Sequence, residues 1–218
     1  MAKKNIGHAV KKMKYSGYEV DRHLDVWDPN DHIDKVQCTL FGRPCQQTFS
    51  AFFVWEKLLG PLEFTRFVEI GTGFGNTSIF FLLHCIQKGA SFVTFERMTN
   101  RSTNSSPLKE LLQFQECVVL GDAYAPASSQ FALELIAKPG RTVLFLDGGD
   151  KPHEFRLFVP ALKQGDIVAV HDWGRAIKDS WVQDTIDTCG LTPLMEAEHL
   201  QHGTLTAMFE RSGLNDTR

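Results

Sequence analysis

The sequence predicts an α/β fold in which one doubly wound sheet of seven strands carries helices on both faces. Five short apolar runs alternate with helical segments, a pattern typical of parallel strands that are buried on both sides. Two more strands follow with only residues 201–203 between them, and so short a connection can join only antiparallel strands. We therefore expect five parallel strands and a closing antiparallel pair. The predicted strands are 66–70, 91–96, 117–123, 142–147, 166–172, 193–200 and 204–210.

Helices are predicted between these strands, and glycine or proline marks the end of most of them. The first helix is expected to open at 42–44 and to stop before Gly60-Pro61. Asn76 or Thr77 is expected to cap the second helix, because both can accept a hydrogen bond from a free backbone amide. The remaining predicted helices are 109–114, 127–138, 153–164 and 177–189.

The composition bounds the class of protein. Hydrophobic residues make up 43% and charged residues 22% of the 218, and the formal net charge is -3. These values are ordinary for a soluble globular protein and do not indicate general affinity for nucleic acid or for an anionic membrane. No apolar run approaches the roughly 20 residues that span a bilayer. The five cysteines form no C-x-x-C pair, so that reduced thiols and a cytoplasmic location are expected.

Three regions are expected along the chain. Residues 39–212 form the α/β domain, and 213–218 form a tail. Residues 1–38 form an N-terminal extension, basic at its start, in which Ile6, Val10 and Met13 fall at helical spacing. This extension is either a partly ordered tail or a lid or dimer contact over the site, and a homo-oligomer is compatible with the sequence.

A glycine loop follows the first predicted strand of the sheet. Its pattern is acid-x-G-x-G-x-G, from Glu69 to Gly75. Glycines at alternate positions allow a tight turn and let a ligand approach the backbone closely. A dinucleotide-binding loop needs its third glycine where this chain has Asn76. A tight turn without a ligand is the competing interpretation.

Acidic residues stand at the carboxyl ends of the predicted strands, where ligands bind in open α/β sheets. Asp147 and Asp172 are expected to end adjacent strands, so that their carboxylates could share a hard cation such as Mg²⁺. The competing interpretation is helix caps and solvated loop acids. The acidic ends are Glu69, Glu96, Asp122, Asp147 and the pair His171-Asp172.

Two motif blocks give the sequence a specific resemblance. Residues 146–155, LDGGDKPHEF, resemble a D-G-x-H block, and residues 162–173, LKQGDIVAVHDW, resemble a G-G-x-x-x-x-x-D block with Asp166 in place of the second glycine. Together with the glycine loop, they resemble class I S-adenosylmethionine (SAM)-dependent methyltransferases. The resemblance is to the cephalosporin hydroxylase/rhamnosyl O-methyltransferase-like and macrocin O-methyltransferase-like group. It covers roughly residues 40–175 and implies a Rossmann-like sheet.

The resemblance also implies roles for single residues. Asp147 and Asp172 match metal ligands, and His171 stands where some relatives place another acid. Asp150 stands where relatives commonly carry a histidine base, so that Asp150 and His171 are the candidate catalytic residues, with His153 or Lys151 as substitutes. The residues that match SAM contacts are Glu69, Gly71, Thr72, Gly73, Glu96, Asp122, Ala123 and Asp147.

The function implied is metal-assisted O-methylation of a small hydroxylated molecule, such as a sugar or natural product, by SAM, with no nucleic acid as partner. The alternative is a non-enzymatic protein, a SAM-binding module that has no catalytic activity. An NAD(P)-dependent oxidoreductase is disfavoured because the short-chain type needs Tyr-x-x-x-Lys, and no tyrosine here has lysine four residues on.

Overall fold

The computed structural model describes residues 11–15, 18–22, 39–40, 43–45, 47–73, 75–97 and 116–213. Near the N-terminus, strands β1 (Lys11–Tyr15) and β2 (Tyr18–Arg22) pair antiparallel. Met13 therefore lies in a strand, whereas its spacing from Ile6 and Val10 had suggested a helix. Strands β3 (Thr39–Leu40) and β4 (Arg43–Pro44) form a second small antiparallel pair.

The main sheet has seven strands in the described part of the chain, in the order β10-β11-β9-β8-β5-β6-β7. Strands β7, β6, β5, β8 and β9 are parallel, and β11 pairs antiparallel with both β9 and β10. The predicted sheet of five parallel strands and a closing antiparallel pair is thus confirmed. These strands are β5 (Arg66–Ile70), β6 (Ser91–Glu96), β7 (Val118–Leu120), β8 (Thr142–Leu146), β9 (Ile167–Val170), β10 (Leu191–Leu194) and β11 (Ala207–Arg211).

The connection within the closing pair differs from the prediction. The chain forms a helix at Glu196–His202 where the sequence predicted a strand that continued to residue 200. Met195 has a positive φ of 58° and ends the strand. Acidic residues then fall in the first turn of the helix, as the helix dipole favours. The pair is antiparallel as predicted, but its connection is a helix and not a short turn.

The bounds of the other helices differ from the predicted ones. α1 (Phe49–Leu59) begins after Thr48, whose Oγ1 accepts a hydrogen bond from the Ala51 amide (3.1 Å), because residues 43–44 belong to β4. α2 (Asn76–Lys88) begins after Gly75, so that neither Asn76 nor Thr77 is the predicted cap. The helix predicted at 109–114 lies outside the described residues. The later helices are α3 (Pro126–Ala137), α4 (Lys151–Phe158), α5 (Asp179–Cys189) and α6 (Glu196–His202).

Each face of the sheet packs against its own set of helices, which confirms the doubly wound arrangement. On one face, Trp55 of α1 and Phe81 of α2 contact Phe67 and Phe145 of the sheet. On the other face, α3, α4 and α5 cover a second apolar cluster that includes Phe155. No helix in the described ranges is long and apolar enough to cross a membrane.

Candidate functional site

The glycine loop lies at the carboxyl end of β5 and requires glycine for its conformation. Gly71, Gly73 and Gly75 have φ values of 99°, 56° and 80°, which residues with a side chain rarely adopt. A Cβ atom at Gly71 would also lie 2.5 Å from the backbone oxygen of Asp147. The loop therefore touches the end of β8, and the glycine loop and the acidic strand ends form one site.

Hydrogen bonds hold this loop over the end of β6. The Gly71 and Thr72 amides donate to the backbone oxygen of Phe95 (2.9 and 3.1 Å), and the Gly73 amide donates to Oε2 of Glu96 (2.7 Å). Glu96 is 8% exposed at the last position of β6. The structure thus places Glu96, which matches a SAM contact, next to the glycine loop.

Glu69 lies beneath the loop and has protein partners. Its side chain is 1% exposed, and its Oε2 accepts hydrogen bonds from Ser78 Oγ (2.5 Å) and Thr94 Oγ1 (2.6 Å). Thr94 in turn contacts Thr72 Oγ1 at 2.6 Å. Burial raises the pKa of Glu69 to about 8, against the lowering effect of its two hydroxyl partners. Glu69 therefore ties β5, β6 and α2 together, and its direct contact with SAM stays a prediction.

Asp122 and Ala123 follow the outermost parallel strand, β7. The Gly121 amide donates to the backbone oxygen of Glu96 (2.9 Å), which sets this turn beside the end of β6. Asp122 Oδ1 accepts a hydrogen bond from the Tyr124 amide (3.0 Å), and Ala123 is buried. The two residues lie on the same edge of the sheet as Glu96, as the sequence predicted.

The acidic end of β8 meets the end of β9. Asp147 Oδ1 lies 2.9 Å from His171 Nδ1, and its Oδ2 accepts a hydrogen bond from Gln47 Nε2 (3.4 Å). Lys151 Nζ lies 3.4 Å from Asp147 Oδ1 and 3.5 Å from Asp172 Oδ2. The predicted neighbours Asp147 and Asp172 are therefore brought together, with a lysine ammonium between them.

The charges in this cluster change the proton affinity of its basic groups. Burial disfavours the charged form of His171, but Asp147 and then Asp172 outweigh it and raise the pKa of this imidazole. Burial likewise opposes the charge on Lys151, and the same two carboxylates raise the pKa of its ammonium above the ordinary value. The cluster is thus a partly buried set of paired charges.

The predicted divalent cation does not fit this arrangement. The ammonium of Lys151 already contacts both carboxylates that were expected to bind Mg²⁺. His171 could serve as a third ligand through Nδ1 only by giving up its contact with Asp147. Within the described ranges, no group of three or more histidine, cysteine, aspartate or glutamate side chains is arranged to hold a metal ion.

Asp150, the other candidate base, has a structural role. It is exposed and forms the N-cap of α4, where its Oδ1 accepts a hydrogen bond from the His153 amide (3.1 Å). Its own amide donates to the hydroxyl of Tyr124 (3.1 Å). These partners lie outside the Asp147–Lys151–His171–Asp172 cluster. The structure thus does not bring Asp150 together with the other candidate site residues.

A buried carboxyl group shapes the turn between Asp147 and α4. Glu154 is fully buried, and it accepts hydrogen bonds from the Tyr124 hydroxyl (2.5 Å) and the Gly148 amide (3.2 Å). Burial raises its pKa to about 7. A Cβ atom at Gly148 would overlap the Glu154 carboxylate, which explains the glycine. Sequence reasoning missed this contact because it depends on tertiary structure.

Sequence reasoning also missed the role of Lys151, although a signal was present. Lys151 occupies the first turn of α4, where the helix dipole disfavours a positive charge. A buried lysine at that position needs negative partners, and Asp147 stands four residues earlier. This spacing could have identified the pair.

Comparisons with known proteins bear on the fold. No family model matches the chain, and no curated protein matches it. Among solved structures, the chain is similar to the apo structure of CmcI at 16% identity, with a TM-score of 0.58 over 81% of this chain and 76% of that one. A Mg-SAM structure of CmcI is similar at 13% identity and a TM-score of 0.57, over 81% and 76%. An SAH structure of CmcI is similar at 14% and 0.56, over 81% and 83%.

At identities of this size, the likeness is one of fold. The five parallel strands and the closing antiparallel pair match the arrangement that the sequence predicted. The chain therefore has the Rossmann-like fold of the class I SAM-dependent methyltransferases.

Proposed function

We propose that the chain is a SAM-dependent methyltransferase that transfers a methyl group to a hydroxyl of a small molecule, such as a sugar or natural product. The observation that carries this proposal is the contact between Asp147 and His171 at 2.9 Å, next to the glycine loop. At this edge of the sheet, an oriented imidazole thus lies near a loop that is suited to the methyl donor.

The residues along the glycine loop suit SAM. Glu96 has a carboxylate that would accept hydrogen bonds from ribose hydroxyls, and the turn at Asp122 and Ala123 continues the same edge of the sheet. Gly73 and Gly75 present backbone without Cβ atoms, which favours a close approach. When bound, SAM supplies an electrophilic methyl group on a sulfonium. The proposed contacts are Glu69, Gly71, Thr72, Gly73, Glu96, Asp122, Ala123 and Asp147.

His171 is the proposed proton acceptor. Asp147 holds Nδ1, and a neutral ring whose Nδ1 carries the proton has its free lone pair on Nε2. The acceptor hydroxyl gives its proton to Nε2 while its oxygen forms the new O–C bond and the S–C bond breaks. The side chain of His171 is 13% exposed, so that part of the ring is open to the site. Asp147 acts here as a positioning residue.

No metal ion takes part in the proposed steps, because the residues at Asp147 and Asp172 do not fit one. General acid–base catalysis by a positioned side chain contributes about 10²- to 10⁴-fold in rate. Among the proposed acceptors, that range fits a natural product with a phenol or an enol, whose pKa is already lowered, better than the simple alcohols of a sugar. The proposed lid or dimer contact of residues 1–38 lies largely outside the described residues.

Transfer of isotope from methyl-labelled SAM to a panel of hydroxylated acceptors tests the proposal. We expect labelled methyl ether products from the wild type and SAM binding by calorimetry. Label on an amine or a nucleic acid instead of a hydroxyl would contradict the O-methyltransferase. Binding of SAM with no transfer to any acceptor would favour the alternative of a SAM-binding module.

A further inference from the structure

We propose that Lys151 permanently takes the place of a divalent cation between Asp147 and Asp172, so that this site is held together by an ammonium and does not bind a metal ion. The proposal concerns the chain's own residues. Its consequence for methyl transfer, a reaction without a metal requirement, rests on the proposed function.

The first observation that supports the proposal is the position of the Lys151 side chain. Its side chain is 6% exposed, and Nζ lies 3.4 Å from Asp147 Oδ1 and 3.5 Å from Asp172 Oδ2. A third contact directs Nζ to the backbone oxygen of Gly148 (2.9 Å). Three oxygens from three residues thus surround one buried positive charge. The ammonium donates a hydrogen bond to the Gly148 oxygen and forms ion pairs with the two carboxylates.

The local backbone does not explain this lysine. Lys151 begins α4, and a positive charge in the first turn of a helix is disfavoured by the dipole. Burial adds a desolvation cost for the ammonium. The two carboxylates and the backbone oxygen of Gly148 offset these costs, so that the lysine and the acids form a matched set.

The charge balance then argues against an added dication. Asp147 and Asp172 carry two negative charges, and Lys151 supplies one positive charge between them. Arg175 adds another near Asp172, with Nη1 3.9 Å from Oδ1, and His171 contacts Asp147. A divalent ion would have to displace an ammonium that is tethered in place, or lie beside it and be repelled.

The arrangement also keeps the acids in position. Asp172 has a positive φ of 58°, which a non-glycine residue adopts only at a cost. Its contact with Lys151 compensates for part of that cost. Asp147 is held by the same ammonium on the side away from Gln47, so that its Oδ1 stays directed at His171. We infer that Lys151 is a positioning residue for the pair of Asp147 and His171.

Electron paramagnetic resonance of Mn²⁺ tests the proposal directly, since free and protein-bound Mn²⁺ give different signals. The titration uses the full chain without SAM. We expect no specific binding of Mn²⁺ by the wild type. Lys151→Ala should bind Mn²⁺ with a Kd at least about tenfold below that of any weak, non-specific binding by the wild type, because the two carboxylates lose their internal cation. The double variant Lys151→Ala/Asp172→Asn should lose that binding again.

A matched control separates this effect from the loss of any lysine. Lys57 also pairs with a carboxylate, Glu198, at 2.7 Å, but on the surface and with no second acid. Lys57→Ala should bind Mn²⁺ no better than the wild type. Lys151→Arg keeps the charge and should also bind none. If Lys151→Ala does not fold, Lys151→Gln serves as the second variant, because it removes the charge but keeps a side chain of similar length, and it should gain the same binding.

The outcomes are distinct from those of the proposed function. Binding of Mn²⁺ by the wild type, lost in Asp172→Asn, would overturn the role of Lys151 whether or not methyl transfer is found. Absence of new binding in folded Lys151→Ala would overturn it as well. Failure to find an acceptor would count against the methyltransferase and leave the Mn²⁺ result unaffected. If the methyltransferase is confirmed, full turnover in EDTA is expected.

Discussion

Oδ1 of Asp147 lies 2.9 Å from Nδ1 of His171, although the two residues are 24 positions apart in the chain. The parallel register explains this contact. Leu146 of β8 pairs with Val170 of β9, so that the next residue of each strand emerges at the same edge of the sheet. Their side chains meet as soon as both strands end, beside the glycine loop that follows β5. The contact therefore follows from the strand order, and it supplies the proposed base and its positioning residue.

His171→Gln should lower kcat by about 10²- to 10⁴-fold, the contribution typical of a general base. SAM affinity should change little, because His171 is not among the proposed cofactor contacts. Calorimetry and steady-state kinetics measure the two effects separately. His153→Gln is the matched control, since His153 is exposed and contacts the cap of α4. Equal losses in both variants would contradict a specific role for His171.

Gly71→Ala should weaken both the fold and SAM binding. The residue has a φ of 99°, and a Cβ atom there would lie 2.5 Å from the Asp147 backbone oxygen. The left-handed conformation alone costs about 1–2 kcal/mol for a residue with a side chain, and the overlap must shift the loop or the end of β8. Thermal denaturation and calorimetry with SAM measure the two losses. Gly149→Ala is the control, because a Cβ atom there meets nothing within 4 Å. Wild-type SAM affinity in Gly71→Ala would contradict the loop assignment.

Much of the fold could be predicted from the sequence because its signals are local. Apolar runs such as β5 and β8 are buried along their whole length, as strands covered on both faces must be. The helix α6 could not be predicted as easily. It has seven residues, and its start depends on the positive φ of Met195, which no turn residue in the sequence indicates.

For the candidate site, the sequence predicted only those contacts that follow from the positions of the strand ends. The sequence placed Asp147, His171 and Asp172 together, because the carboxyl ends of adjacent parallel strands share an edge. It could not show that Glu69 is directed into the protein. Every residue of β5 is buried, so that no alternation of apolar and polar residues indicates which side chains face the interior. Nor could it show that Lys151 reaches back from α4 to both acids, because that contact depends on the path of the turn at Gly148.

The pKa of Glu69, about 8, predicts a specific pH dependence of stability. Unfolding returns the carboxyl to its ordinary value of 4.5, so that the folded state holds one more proton between these two pKa values. The contribution of Glu69 is fully present below pH 4.5 and is lost as the pH rises to about 8. The loss amounts to about 1.4 kcal/mol in the free energy of unfolding for each pH unit crossed.

Glu69→Gln removes this titration. Denaturant unfolding between pH 5 and pH 8 should show a smaller decrease in stability for the variant than for the wild type. Glu63→Gln is the control, because the Glu63 side chain is 85% exposed and pairs with Lys88 on the surface. Identical pH profiles for Glu69→Gln and the wild type would mean that Glu69 is ionised in the folded protein.

Asp150→Asn decides between the two candidate bases. Asparagine caps a helix about as well as aspartate, so that the hydrogen bond from the His153 amide and the stability of α4 should be kept. The variant removes only the ability of this side chain to accept a proton. With His171 as the base, kcat should stay within about twofold of the wild type, which is well below the effect of losing a general base. Asp150→Ala separates the structural role, because loss of the cap should cost about 0.5–2 kcal/mol of stability. A large fall of kcat in Asp150→Asn, with SAM binding and thermal stability unchanged, would transfer the role of base from His171 to Asp150.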